Sequence, residues 1–161
     1  MLQLLCSRPG LSAAQAEGPA PLGNCLEIGT GCGYQAALLG QLSRRVVSIE
    51  RLRELHLKAR THLELLRSQQ APWPDVRLLH GDGMLGHPPS GPYDTIVSAA
   101  GGSALPEAWL NQLAPGGRLV APVEDAQGGQ VLTVVDRLPD GRLLQSRAGA
   151  VLFVPLKSGT T

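Results

Sequence analysis

Aromatic side chains are scarce: one Phe, two Trp and two Tyr make up 3% of 161 residues. The core of this chain must therefore be Leu, Val, Ile and Ala, and a 43% apolar content is enough to fill one domain of this length. Neither sign of charge is in excess. Fourteen Lys and Arg against thirteen Asp and Glu leave a net charge of +1, which gives no electrostatic case for nucleic acid or an anionic membrane. No apolar run approaches the roughly 20 residues of a membrane helix. The apolar start, Met1 to Cys6, has no basic lead-in, so it is a poor secretory signal. Cysteine is limited to Cys6, Cys25 and Cys32, an odd number without C-x-x-C spacing. That argues against a disulfide scaffold and suits a reducing cytoplasm. The histidines His56, His62, His80 and His87 form no i, i+4 pair, and no Cys/His cluster has metal-ligand spacing, so no metal is expected. A P-loop and a Gly-x-Ser-x-Gly elbow are both missing.

What remains is a regular alternation. Residues 1–23 read as a loose lead-in, in which Leu2, Leu4 and Leu5 could end a helix before Pro9, Gly10, Gly18, Pro19, Pro21 and Gly23 break the pattern. One domain over 24–161 follows. Strands are expected at 25–29, 46–50, 76–79, 93–99, 118–123, 130–135 and 150–154, with a turn at Pro139-Asp140-Gly141 between the last two. Helices are expected over 34–43 and, from the spacing of Leu52, Leu55, Ala59, Leu63 and Leu66, through the stretch that Pro72 and Pro74 stop. Ser103 is placed to cap a short helix ending at Leu113. Strands alternating with helices and then a strand-rich tail predict an α/β fold: a doubly wound, mostly parallel seven-stranded sheet with helices on both faces and an antiparallel edge.

The chemistry concentrates in Leu26-Glu27-Ile28-Gly29-Thr30-Gly31-Cys32-Gly33-Tyr34. Glycines 29, 31 and 33 at spacing two make a loop in which backbone can touch a ligand, because glycine accepts positive φ and has no Cβ. The helix that follows offers free N–H groups. Position 34 is Tyr, so the pattern is not the Gly-x-Gly-x-x-Gly that seats a dinucleotide pyrophosphate. An acid-preceded loop of this kind suits the zwitterionic methionine end of S-adenosylmethionine, with Glu27 near its ammonium. The plain alternative is a strand-to-helix turn that only packs. In a doubly wound sheet ligands lie beyond the carboxyl ends of the strands. Glu50 stands at the second of those ends, 17 residues past Gly33, where a carboxylate can accept ribose hydroxyls; such acids sit about 20 residues past a glycine loop. Asp82 stands at the third, placed to accept from an adenine amino group. Each acid alone is more often a solvated loop residue; together they describe a site for adenosine plus an amino acid. Cys32, Cys25 and the Arg44, Arg45, Arg51, Arg53 stretch read as loop, core and solvated helix edge.

At this point the chain resembles the protein-L-isoaspartate O-methyltransferases, a branch of the Rossmann-like S-adenosylmethionine-dependent methyltransferases. The resemblance rests on residues 26–37 (LEIGTGCGYQAA), 46–50 (VVSIE), 81–86 (GDGMLG), 92–97 (PYDTIV), 113–123 (LAPGGRLVAPV) and 151–156 (VLFVPL). It implies a cytoplasmic repair enzyme that methylates the carboxylate of L-isoaspartyl residues in damaged proteins; a monomer is expected, and the charge and the lack of long apolar runs give no nucleic-acid or membrane partner. The resemblance also implies that the loop of Glu27, Gly29, Thr30, Gly31 and Gly33 holds the methionine part, Glu50 the ribose with Arg51 beside it, and Asp82 with Gly83 the adenine. Family members carry a Thr/Ser motif in a substantial segment ahead of the glycine loop. Only 25 residues precede Leu26 here and none shows that motif, so the chain reads as N-terminally abbreviated and no catalytic residue is assigned. Methylation of another acceptor, or cofactor binding without catalysis in a truncated domain, are the alternative readings.

Overall fold

The computed structural model describes residues 1–7, 18–69 and 73–161; the expected breaks at Pro9 and Gly10 and the helix stop at Pro72 lie outside them. A seven-stranded sheet organises the chain. Its strands are β1 (Asn24–Ile28), β2 (Arg45–Glu50), β3 (Val76–His80), β4 (Tyr93–Ser98), β6 (Leu113–Glu124), β7 (Gln130–Arg137) and β8 (Leu143–Val151). A two-residue strand, β5 (Ala100–Gly101), pairs in parallel with another, β9 (Val154–Pro155), as a separate ribbon. The order across the sheet is β3-β2-β1-β4-β6-β7-β8. The first five strands run parallel, and β7 and β8 return antiparallel as an edge.

The helices are α1 (Leu2–Cys6), α2 (Tyr34–Leu42), α3 (Arg53–Gln69) and α4 (Glu107–Gln112). Parallel neighbours need a crossover, and α2 and α3 supply those from β1 to β2 and from β2 to β3. Alternate strand residues point to opposite faces, so each inner strand feeds two cores. On one face Cys25, Val46, Val97, Val120 and Val134 pack with Leu39 of α2 and with Leu5 and Leu22 from the N-terminal stretch. On the other, Leu26, Ile28, Val47, Ile49, Ile96 and Leu119 pack with Trp109 of α4, Tyr93 and Leu113. Trp109 is fully buried, and its indole N–H donates to the Gly83 carbonyl at 2.8 Å. α4 thereby fixes the loop after β3 from below.

Three expectations about local structure need correction. The short helix starts at Glu107 rather than near Ser103, with Pro106 at its N-cap. A residue that precedes proline, here Leu105, is pushed out of helical geometry, so Ser103 has no helix to cap. β6 begins at Leu113, not Arg118; Pro115-Gly116 is carried within the strand beside an irregularity in the β4–β6 register. The last long strand is Leu143–Val151 rather than 150–154. It is exposed along nearly all its length, so it has no buried face and no alternation to read.

The N-terminal stretch is more than a lead-in where it is described. Leu5 is wholly buried in the core of α2 and the sheet. Arg118 reaches α1 through a hydrogen bond to the Leu4 carbonyl at 2.6 Å while its guanidinium forks onto Asp136 at 2.7 and 2.8 Å. Among the described residues no helix is long and apolar enough to cross a membrane. Leu5→Ala removes a buried leucine from this junction and should cost about 2–5 kcal/mol of stability in denaturant unfolding. A loss below about 0.5 kcal/mol, the range of surface substitutions, would show that α1 is not part of the core.

Candidate functional site

The site grows from the reversal of strand order between β1 and β4. There the connections leave in opposite directions, and a crevice opens at the carboxyl ends of the strands. The loop after β1 enters that crevice. Gly29, Gly31 and Gly33 have φ of +86°, +58° and +91°, a region that side chains rarely adopt. Each glycine of the pattern is therefore required by the path of the chain. At Gly33 a Cβ would also press on Ala59 of α3, at 3.3 Å. His62, also on α3, places its ring Nδ1 2.8 Å from the Cys32 carbonyl and steadies the outer side of the loop.

β2 holds the inner side. Glu50, 4% exposed, accepts the Gly31 N–H on Oε2 at 2.9 Å and the Leu52 N–H on Oε1 at 3.0 Å. A carboxylate has about four acceptor positions, so each oxygen keeps one for a ligand. A cavity of about 380 Å³ opens in front of this carboxylate, within the range typical of small-molecule sites. Gly29, Gly31, Glu50, Arg51 and Gly83 line it, five of the residues expected from the sequence. Gly83 must be glycine there, because a Cβ would come within 2.5 Å of Ile28 Cγ2. The apolar walls come from Ile28, Ile49, Leu52, Leu55 and Leu156.

Glu27, Thr30, Gly33 and Asp82 lie outside the cavity lining. Glu27 is fully buried beneath the loop, on the same face of β1 as Cys25, which packs with Leu39 of α2. It stands in register with Ser48 on β2. Its Oε2 accepts the Ser48 hydroxyl, and Ser48 Oγ lies 2.6 Å from Thr30 Oγ1. Oε1 has no hydrogen-bond partner, nor does Gln35 Nε2. Burial pushes the Glu27 carboxyl up to about 7; the Ser48 hydroxyl pulls it down, and the charge of Glu50 adds to the rise. Asp82 is not a free solvated acid. Its Oδ1 caps the short 3-10 turn Gly83–Leu85 by accepting from Met84 N–H at 2.8 Å. Its Oδ2 accepts from Gly159 N–H at 2.7 Å.

Site residues that sequence reasoning missed are in the last segment of the chain. Val154, Pro155, Leu156 and Lys157 form one wall of the cavity. The β5–β9 ribbon holds this wall, and the Gln130 side chain pairs with the Phe153 backbone at 2.7 and 3.1 Å. Thr161 then exchanges backbone hydrogen bonds with Arg51 and Arg53. Position in sequence gave no hint of this, since the wall arrives from about 100 residues away. A second omission is Ser48, two residues before Glu50 on β2 and so on the same face of the strand.

A doubly wound sheet with a glycine loop at its switch point and an acid at the next strand end defines the class of nucleoside-cofactor-binding domains. Comparison narrows it: the chain belongs to the protein-L-isoaspartate(D-aspartate) O-methyltransferase family, which matches residues 17–161. The protein-L-isoaspartate O-methyltransferase of Leptothrix cholodnii is 56% identical over 162 residues, covering 100% of this chain and 53% of its own length. That of Methylibium petroleiphilum is 57% identical over 149 residues, covering 92% of this chain and 53% of its own length. A solved protein-L-isoaspartate O-methyltransferase superposes with a TM-score of 0.74 at 29% identity, over 84% of this chain and 42% of that one. The chain thus spans about half the length of the curated relatives it matches.

The raised Glu27 carboxyl makes stability depend on pH. Above the ordinary value of 4.5 an unfolded chain has lost this proton, whereas the folded one keeps it until about 7. The native state binds more protons in that window, so stability falls as pH rises from about 4.5 to about 7. Glu27→Gln should remove that part of the fall, by a few kcal/mol, in unfolding measured across the window. An unchanged slope would mean that Glu27 titrates normally.

Proposed function

We propose that this chain binds S-adenosylmethionine at the glycine loop and Glu50, and is the part of a protein-L-isoaspartate O-methyltransferase that delivers the methyl group to the carboxylate of isoaspartyl residues in damaged proteins. Family membership supports the reaction. The geometry that carries the cofactor reading is the Glu50 carboxylate, pinned by two backbone N–H groups and facing the cavity with acceptor positions left over.

The residues fit the group they would hold. Glu50 offers acceptors to the two ribose hydroxyls. The glycine loop admits the amino-acid end against backbone, and the Glu50 carboxylate beside the loop favours an ammonium there. Gly83, Ile49 and Leu52 give the flat apolar edges that a purine needs. Asp82 acts here as the cap that shapes the adenine side, with Gly159 on its other oxygen. When bound, S-adenosylmethionine supplies an electrophilic methyl on a sulfonium centre. The acceptor carboxylate, with an ordinary value near 4, is already ionised at neutral pH, so this chain needs no general base. Its contribution is alignment of the reacting atoms and exclusion of water by the walls of Ile28, Leu55 and Val154–Leu156.

We extend the reading to a monomeric cytoplasmic protein without nucleic-acid or membrane partners. Cys6, Cys25 and Cys32 are all free, and the near-zero net charge favours no polyanion. Labelled methyl should pass from S-adenosylmethionine to an isoaspartyl peptide and not to its aspartyl counterpart, giving a base-labile product. Glu50→Ala should weaken S-adenosylhomocysteine binding by about 1–3 kcal/mol, from loss of hydrogen bonds to a charged group, by calorimetry. Labelling of both peptides alike would refute the acceptor. Unchanged affinity would take Glu50 out of the site.

A further inference from the structure

Glu27, Ser48 and Thr30 form a buried chain of oxygens from β1, across β2, into the glycine loop. Glu27 and Ser48 are wholly buried and Thr30 is 4% exposed. Ser48 Oγ stands between Glu27 Oε2 and Thr30 Oγ1. A hydroxyl has one proton to donate. With Glu27 ionised, Ser48 must donate to it, and Thr30 must then donate to Ser48. The Thr30 side chain is drawn down under the loop, between the two glycines that line the cavity. Two residues further along β2, Glu50 holds the next residue of the loop through the Gly31 N–H.

We propose that Ser48 is a positioning residue for the cofactor loop: its hydroxyl ties the buried Glu27 carboxylate to Thr30, and so fixes the loop in its ligand-accepting shape. The proposal rests on the reading of this loop as the site of S-adenosylmethionine. It gives β2 two anchors on one face, Ser48 under Thr30 and Glu50 under Gly31. Glu27 acts through the chain and does not line the cavity.

The ionic state of Glu27 enters through this geometry. The groups that face it are Ser48 and Glu50 from β2, Gln35 from α2 and Cys25 on its own strand; across β4 its register partner is Val97, which carries no charge. Among these, the Ser48 hydrogen bond favours the charged form, whereas burial and Glu50 oppose it. A cation on the outer side of the loop favours the charged form as well. Ligand binding therefore draws a proton off Glu27 near neutrality, and affinity rises with pH through that range. Removing the Ser48 hydroxyl moves the midpoint of this rise to higher pH.

The test is S-adenosylhomocysteine affinity of the full chain by calorimetry between about pH 5.5 and 8.5, beside melting temperatures. The proteins are the wild type, Ser48→Ala, Thr30→Val and Thr30→Ser. The expected result is about tenfold weaker binding in Ser48→Ala and Thr30→Val, with the midpoint raised by about one pH unit in Ser48→Ala. Thr30→Ser, which keeps the hydroxyl, binds like the wild type. If Ser48→Ala melts lower but keeps the wild-type affinity and midpoint, Ser48 only packs and the proposal fails. Equal binding by Thr30→Val and Thr30→Ser also overturns it, and that comparison stands even if Ser48→Ala does not fold. A wild-type chain that folds and shows no binding would overturn the cofactor reading itself, which the variants would not be needed to reveal.

Discussion

One carboxylate ties the site together. Glu50, at the end of β2, accepts hydrogen bonds from the loop after β1 through Gly31 and from its own following loop through Leu52. Together with His62 at the Cys32 carbonyl and Ser48 at Thr30, it selects one path for a loop with three glycines at positive φ, among the many that glycine allows. With it the loop is closed against β2, and the oxygens that hold it also face the cavity. A carboxylate that makes charge-assisted bonds to backbone is held more firmly than one that points into solvent. The ligand then meets a surface already shaped, and pays less for ordering it.

The second acid pulls in the other direction. Glu27 is buried with one oxygen unpartnered, and burial raises its carboxyl to about 7. A buried polar group with one oxygen unpaired costs stability. Glu27 lies beneath the glycine loop and is joined to Thr30 through Ser48. Stability is given up at the point where the cofactor would sit, as is common where a site needs a shape the fold alone would not choose. The rest of the sheet offsets this with two apolar cores on its faces and with Arg118 locking α1 to β7 through Asp136.

Much of this was legible in the sequence because the central strands are buried on both faces. Leu26, Val46-Val47, Ile49 and Ile96-Val97 form short apolar runs between turn residues, and β1 to β4 fall within a residue or two of where those runs predict them. The loop and Glu50 were legible because glycine spacing and the following acid are local. Other features depend on contacts that no local pattern carries. β8 has no buried face, so its residues follow no period. The helix near Trp109 is short and begins only after Pro106. The cavity wall from Val154 to Lys157 reaches the site by pairing with β5, a two-residue strand. For Asp82, no local pattern carries its contacts with the Met84 and Gly159 N–H groups. Ser48 is an ordinary strand serine until the register with Glu27 is known.

The most direct test of the central claim is a crystal structure of the chain with S-adenosylhomocysteine bound. The ribose hydroxyls should lie within hydrogen-bonding distance of Glu50, with the amino-acid end against Gly29 and Gly31 and the purine beside Gly83. A nucleoside bound elsewhere, or one that displaces the Gly31–Glu50 hydrogen bond, would contradict the view that this loop and this carboxylate are built as one receiving surface.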